Sequence, residues 1–275
     1  MKPARLAPLL LASLALLMPA ISLAQGPPPK GWAMTIGAAP LLGPAYRGSN
    51  DYALSIVLDL RFNYKDFFFA SIPDGLGVNL VNTDKWQIGP LVKIRFGRGE
   101  EDGGNPFLIT GGSDALLGLG DVRAAGEAGG FVQLVTGRWQ TRFELRQGFG
   151  GHDGLVADLT SSYRTGDNWP LVGPVIWSIG PRLSAGNGDF INPYFGVTEQ
   201  QSIDSGLPQY SAGTSLVSVG VLGAIVRPVT PRLAYTLFAN YGRLLGDVAD
   251  SPLVRERGSP NQFAVGIAIG YRFFW

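Results

Sequence analysis

His152 is the single histidine of the chain, set in Gly150-Gly151-His152-Asp153-Gly154, with Ser161 and Ser162 shortly after. An imidazole that takes a proton from a serine hydroxyl is the core of nucleophilic hydrolysis. That chemistry would make a hydrolase or deacylase. The same residues also read as a polar side chain in a tight glycine turn. By strand count this turn falls on the short-turn side, away from a serine in a wall and from outer-leaflet lipid. The expectation is therefore no catalytic residue. Gly148-x-Gly150-Gly151 lacks the following Lys-Ser/Thr and the strand-to-helix context of a phosphate loop, so it reads as a turn. Glu100-Glu101-Asp102, with Asp114 and Asp121 beyond, could collect a divalent cation, but the spacing is not that of a calcium loop. A solvated acidic loop is expected, with no metal and no cofactor.

A larger set of charges has a regular placement. Asp59 and Arg61, Lys93 and Arg95, Arg142, Glu144 and Arg146, Asp158 and Arg164, Arg182, and Arg272 each fall at alternate positions opposite apolar residues. Period-2 alternation means β-strands with one apolar and one polar face. A Lys or Arg on a lipid-facing strand costs about 2–4 kcal/mol at the bilayer midplane. Turned inward, these charges would line a lumen, where they set anion preference in a pore or pair into a plug. A soluble sandwich or lipocalin-like barrel would carry more Lys and Glu on its polar face than these Gly, Ala, Ser and Thr residues.

The strands that must hold these charges are most legible at Asn261–Trp275. Phe263, Val265, Ile267, Ile269, Tyr271, Phe273 and Trp275 alternate with small or polar residues, Phe274 excepted. So apolar a strand would aggregate at an open edge; a closed barrel in a membrane has none. Tyr271, Phe273 and Trp275 resemble the C-terminal sorting signal of bacterial outer-membrane barrels, which implies the barrel-assembly machinery as a partner during insertion.

Composition agrees. Of 275 residues only 16% are charged, against roughly 25% in soluble domains, and the 39 glycines are about twice the usual share. There is no cysteine, hence no disulfide and no Cys-ligated metal. Met1 to Ala24 reads as a secretory signal peptide: Lys2 and Arg5, an apolar Leu9–Met18 core, and Ser22-Leu23-Ala24 before Gln25. A retained signal anchor is the alternative, but Pro8, Ser13 and Pro19 interrupt a short core. Without Lys2 and Arg5 the charge is 20 basic against 21 acidic residues, so no nucleic-acid partner is expected. Nothing after Ala24 reaches the ~18 apolar residues of a membrane helix.

The expected architecture is all-β: residues 25–275 as one transmembrane antiparallel β-barrel of about twelve strands, of the bacterial outer-membrane type, in contact with outer-membrane lipid. Phe67 to Val81 reads as one irregular strand bent at Pro73 and Gly75. Ile191 to Glu199 reads as a short strand around Tyr194-Phe195-Gly196-Val197. Asp121 to Val135 is a weaker strand, and Phe238 breaks the alternation of its own. From Arg138 onward short turns and longer loops alternate; Gly99 to Gly120 is a long segment on the side that should carry short turns.

Several loop motifs occur in order: Pro44-Ala45-Tyr46-Arg47-Gly48-Ser49; Gly118-Leu119-Gly120-Asp121-Val122 with Glu127-Ala128-Gly129; Tyr194-Phe195-Gly196-Val197 with Gln201-Ser202; Ser205-Gly206-Leu207-Pro208 with Tyr210; and Leu245-Gly246-Asp247 with Ser251-Pro252-Leu253-Val254. Together, from about Trp32 to Trp275, they resemble the MipA/OmpV outer-membrane family. The resemblance implies a scaffold that binds the murein lytic transglycosylase MltA and connects it to a bifunctional penicillin-binding protein; other members are described as adhesins or porin-like proteins. Asp247 and Ser251-Pro252 read either as a contact surface or as a loop fixed by the proline and an Asp side-chain turn. The function expected is a non-enzymatic envelope scaffold. A narrow diffusion channel comes second, and a lipid-modifying enzyme last.

Overall fold

The computed structural model describes residues 31–101 and 107–275. The signal-peptide reading, with cleavage between Ala24 and Gln25, lies outside these residues, as does Asp102. The elements are β1 (Trp32–Pro44), β2 (Tyr52–Tyr64), β3 (Phe68–Ser71), β4 (Gly75–Val78), β5 (Val81–Asn82), β6 (Trp86–Arg95), β7 (Leu108–Gly111), β8 (Ala125–Thr136), β9 (Trp139–Gly150), β10 (Leu155–Trp169), β11 (Gly173–Gly186), α1 (Gly188–Phe195), α2 (Glu199–Ser205), β12 (Ser215–Pro228), β13 (Leu233–Leu244), α3 (Gly246–Asp250), α4 (Pro252–Arg257) and β14 (Asn261–Phe274).

Each long strand pairs antiparallel with its neighbours, and β1 joins both β2 and β14, so the sheet closes on itself. Two short elements extend others: β5 continues β4 along β6, and β7 continues β3 along β2. The wall is thus a twelve-strand barrel. Closure leaves no strand edge in hydrocarbon, the condition for a β-structure to cross a membrane.

The alternation sorts the residues as the environment requires. In β14, Phe263, Ile267, Ile269, Tyr271 and Phe273 are exposed, while Gln262, Ala264 and Ala268 are buried. The same holds for Ile56, Leu58 and Phe62 against Val57, Asp59 and Arg61 in β2. Apolar residues face out and charges face in, the inverse of a soluble barrel. At the end where β1 begins and β14 finishes, aromatic rings form contacts. Trp32 meets Tyr64 at 4.7 Å, Trp139 meets Tyr163 at 5.5 Å, Tyr163 meets Trp177 at 5.7 Å and Tyr271 meets Phe273 at 4.8 Å. This is the aromatic girdle of a membrane interface. The connections at this end are all short, which makes it the periplasmic one; the long segments, residues 96–101 with 112–124, 187–214 and 245–260, lie at the other.

The structure corrects two element readings. Phe67 to Val81 is a hairpin, β3–β4, turning at residues 72–74, with Gly75 at φ +81°. Residues 191–195 belong to a helix, α1, started by Asn187, whose side chain accepts from the Phe190 N–H. One strand was missing and one was surplus, so the total of twelve stands, but every turn between them changes ends. The described residues of 99–120 therefore lie with the other long loops, which removes the exception, and His152 lies at the loop end, not the short-turn end. β1 runs on through Pro40 to Pro44.

The interior has two halves. Beside β1, β12–β14 and Val57 of β2 it is apolar: Ala39, Leu41, Val57, Ala224, Phe238, Ala264 and Ala268 pack together. Phe238 points inward, and a Cβ at Gly266 would collide with its ring, so the glycine makes room for it. The half formed by β6 and β8–β11 is charged.

Candidate functional site: a charged interior beneath a helical cap

Arg146 is the hub of the charged half and is 1% exposed. Its Nε donates to Glu127 Oε2 at 2.7 Å, Nη1 donates to Glu144 and Nη2 to Asp158. Strand register makes this possible: Glu144 lies opposite Asp158, and Glu127 opposite Lys93. Glu127 also accepts from Arg95, and Glu144 pairs with Lys93 at 2.8 Å and Arg142 at 2.7 Å. Arg146 thus bridges the facing carboxylates Glu144 and Asp158 as well as Glu127, and the buried Glu127 and Glu144 each meet two or more cations. A second group joins Arg61 to Asp59 at 2.7 Å and to Asp74 at 3.3 Å. Burying an ion is expensive unless it is paired and hydrogen-bonded, and both groups meet that condition.

Of the charges expected inside, Arg61, Lys93, Arg95, Arg142, Glu144, Arg146, Asp158, Arg164 and Arg182 line one cavity of about 390 Å³. Asp59 adjoins it through Arg61, whereas Arg272, near the periplasmic end of β14, is not among its lining residues. The cavity reaches the periplasmic turn at Lys65 and Asp66. Eight cationic side chains line it, Lys65 included, against Asp66, Asp74, Glu127, Glu144 and Asp158. Tyr271, Phe273 and Trp275 are exposed on the outer face.

Glu127 and Asp74 were missed as interior charges. Glu127 sits among Gly126, Gly129 and Gly130, which blur the alternation of β8. The available signal was the opposite-charge register with Lys93, which sequence alone does not supply. Asp74 was hidden in the hairpin read as a single strand.

His152 is 2% exposed and completes the charged layer. Gly154 N–H donates to its Nδ1 at 3.3 Å, which places the proton of a neutral ring on Nε2, 3.1 Å from Glu127 Oε1. Its ring meets Phe190 at 5.0 Å, and Gly148 leaves the space the imidazole fills. Ser161 faces outward and shares a 2.8 Å hydrogen bond with Thr141. Ser162 is seven residues down β10 from Leu155, roughly 23 Å at the strand rise. Among the described residues no serine–imidazole pair forms.

The loop end is filled. Phe190, Ile191, Phe195, Val217, Leu244, Val248 and Val254 form one buried cluster; Tyr46, Leu116, Leu119, Val197, Leu207 and Leu253 form part of another. Long-range hydrogen bonds bind the segments together. Ser251 Oγ donates to Phe195 O at 2.6 Å, Arg257 Nη1 to Ala115 O at 3.1 Å, and Arg98 Nη1 to Tyr194 O at 2.9 Å. Asp247 Oδ2 accepts from Gly213 N–H at 2.7 Å, so Asp247 and Ser251 both stitch the cap internally. Glu100, from the acidic loop, accepts from Gly118 N–H, and its own N–H donates to Asp121 at 2.8 Å. Arg95 stacks on Phe190, 4.8 Å from the ring centre, where the cap meets the charged layer.

The profile of the family described as MltA-interacting protein MipA matches residues 36–273. The chain belongs to this family. Two outer-membrane relatives agree with this membership. Omp26La of Vibrio anguillarum is 29% identical over 125 residues, and OmpV of Vibrio cholerae serotype O1 is 28% identical over the same length. Each match covers 44% of this chain and 46% of the relative, so this MipA-family chain spans about half the length of the relatives it matches. Among solved structures, an outer membrane channel from Pseudomonas putida F1 aligns with a TM-score of 0.44 at 11% identity, covering 94% of this chain and all of that one. The family member is an outer-membrane β-barrel protein.

Proposed function

We propose that this MipA-family barrel is a non-conducting scaffold that presents its periplasmic end to murein-remodelling enzymes, a lytic transglycosylase of the MltA kind and a penicillin-binding protein. The family description supplies the first partner. The observation that carries the reading is the asymmetry of the interior. The loop end is filled by a helical cap over an ion-paired layer, whereas the 390 Å³ cavity reaches the periplasmic turn. Such a barrel is built to be met from the periplasm rather than to pass solute. No catalytic step is assigned, because His152 is held by Glu127 and Gly154 and, among the described residues, makes no hydrogen bond to a serine.

The test places photo-cross-linking residues at Lys65, Asp66 and Arg138, at the periplasmic turns, in intact cells. Capture of a lytic transglycosylase or a penicillin-binding protein, above an unrelated barrel control, is expected. Capture of the assembly machinery alone would remove the scaffold. The second reading, a narrow channel, is favoured by the cationic excess of the cavity lining. Anion-selective conductance of the purified barrel, with its loops intact, would put that reading first.

A further inference from the structure

A second, much smaller cavity lies where the cap meets the barrel rim. It is about 30 Å³, and Arg47, Arg95 and Arg98 line it with the rings of Tyr46, Phe190 and Tyr194. Arg95 is ion-paired with Glu127. Arg47 and Arg98 are different: among the described residues neither is ion-paired to a carboxylate. Arg47 spends one N–H on Ser218 Oγ at 2.9 Å. Arg98 is 5% exposed and donates Nη1 to Tyr194 O; among the described residues its Nε and Nη2 and the Tyr194 hydroxyl are buried without a hydrogen-bond partner. Two cations and several free donors thus converge on one small, ring-walled space. A buried guanidinium left in this condition costs more than almost any other side chain.

We propose that this cavity binds a chloride-sized monovalent anion, held by the Arg98 and Arg47 guanidiniums and the Tyr194 hydroxyl. The lining decides the class of ligand: guanidiniums and a phenol hydroxyl offer donors and positive charge, so this small cavity suits a compact anion such as a halide. A water could accept the hydrogen bonds but would leave the charge; a halide answers both. Burial lowers Arg98 from 12.5 to about 10, and burial together with the Arg95 charge does the same to Arg47; an anion at this point offsets both effects. Because Arg47 comes from the 45–51 loop, Tyr194 from α1 and Arg98 from the rim above β6, the ion would tie cap to barrel. Binding to the folded state alone then stabilises it in proportion to the logarithm of ligand concentration.

The experiment follows thermal unfolding of the detergent-folded mature protein in sodium chloride, bromide and gluconate at equal ionic strength, and locates bromide in crystals by its anomalous signal. A midpoint that climbs with chloride or bromide above gluconate is expected, with a bromide peak between Arg47 and Arg98 and loss of the halide-specific shift in Arg98→Gln. Identical midpoints in the three salts, or an undiminished halide shift in Arg98→Gln, would overturn the proposal. If Arg98→Gln does not fold, Arg47→Gln takes its place. The wild-type bromide map decides independently: a cavity without bromide at saturating concentration holds water, and the site is refuted.

Discussion

At the scale of single residues, the interior is organised around side chains that satisfy several partners at once. Arg146 meets Glu127, Glu144 and Asp158, so its removal leaves three carboxylates facing one another with fewer cations. Breaking a buried ion pair from one side typically costs about 3–5 kcal/mol. Arg146→Met should therefore lower the urea midpoint of the folded barrel by a loss of that order, read by heat-modifiable mobility on gels. A shift below about 1 kcal/mol would mean that lumen water screens the cluster. Tyr46 offers a pH test outside the membrane span. Burial raises its phenol from 10.0 to about 12. An acid whose folded value is raised stabilises the fold fully below its unfolded value and loses that contribution as pH rises through the folded one. The barrel should weaken between pH 10 and 12, and Tyr46→Phe should flatten that part of the curve; an unchanged curve would assign the alkaline loss elsewhere. Residues such as Arg142 and Arg146 were legible as interior because strict alternation surrounds them. Glu127 and Asp74 were not, since a glycine run and an unseen turn erased the period that would have placed them.

At the scale of elements, long strands were readable and short ones were not. β14 carries six alternating apolar residues, and no other local structure accommodates that pattern. The β3–β4 hairpin has four residues on each side, too few to show a period. α1 misled because Tyr194-Phe195-Gly196-Val197 is rich in residues that favour strands. Tertiary burial of Phe190, Ile191 and Phe195 decides the helix, aided by the Asn187 cap. The inverted ends of residues 82–190 followed from these two errors, and with them the misplacement of His152. The cap is also where permeation is decided. Deleting 246–257, which removes α3 and α4 together with Leu253, Val254 and the Ser251–Phe195 bond, should convert a silent barrel into one with measurable conductance in planar bilayers. Continued silence would place the seal in the Arg146 layer below.

At the scale of the whole molecule, closure and the inside-out distribution of polarity were both written in the alternation, because a barrel repeats one rule along every strand. Partner choice was not, because it depends on surfaces assembled from distant segments. The cap illustrates this. Its buried clusters draw on residues from Tyr46 to Val254, and its hydrogen bonds join positions as far apart as Ala115 and Arg257. With the short turns in the periplasm, that cap is what the cell displays to its surroundings. An antibody or phage arriving from outside meets a folded, discontinuous epitope, not a set of independent loop peptides. Sera raised against any single loop sequence would recognise the unfolded chain and pass over the intact cell.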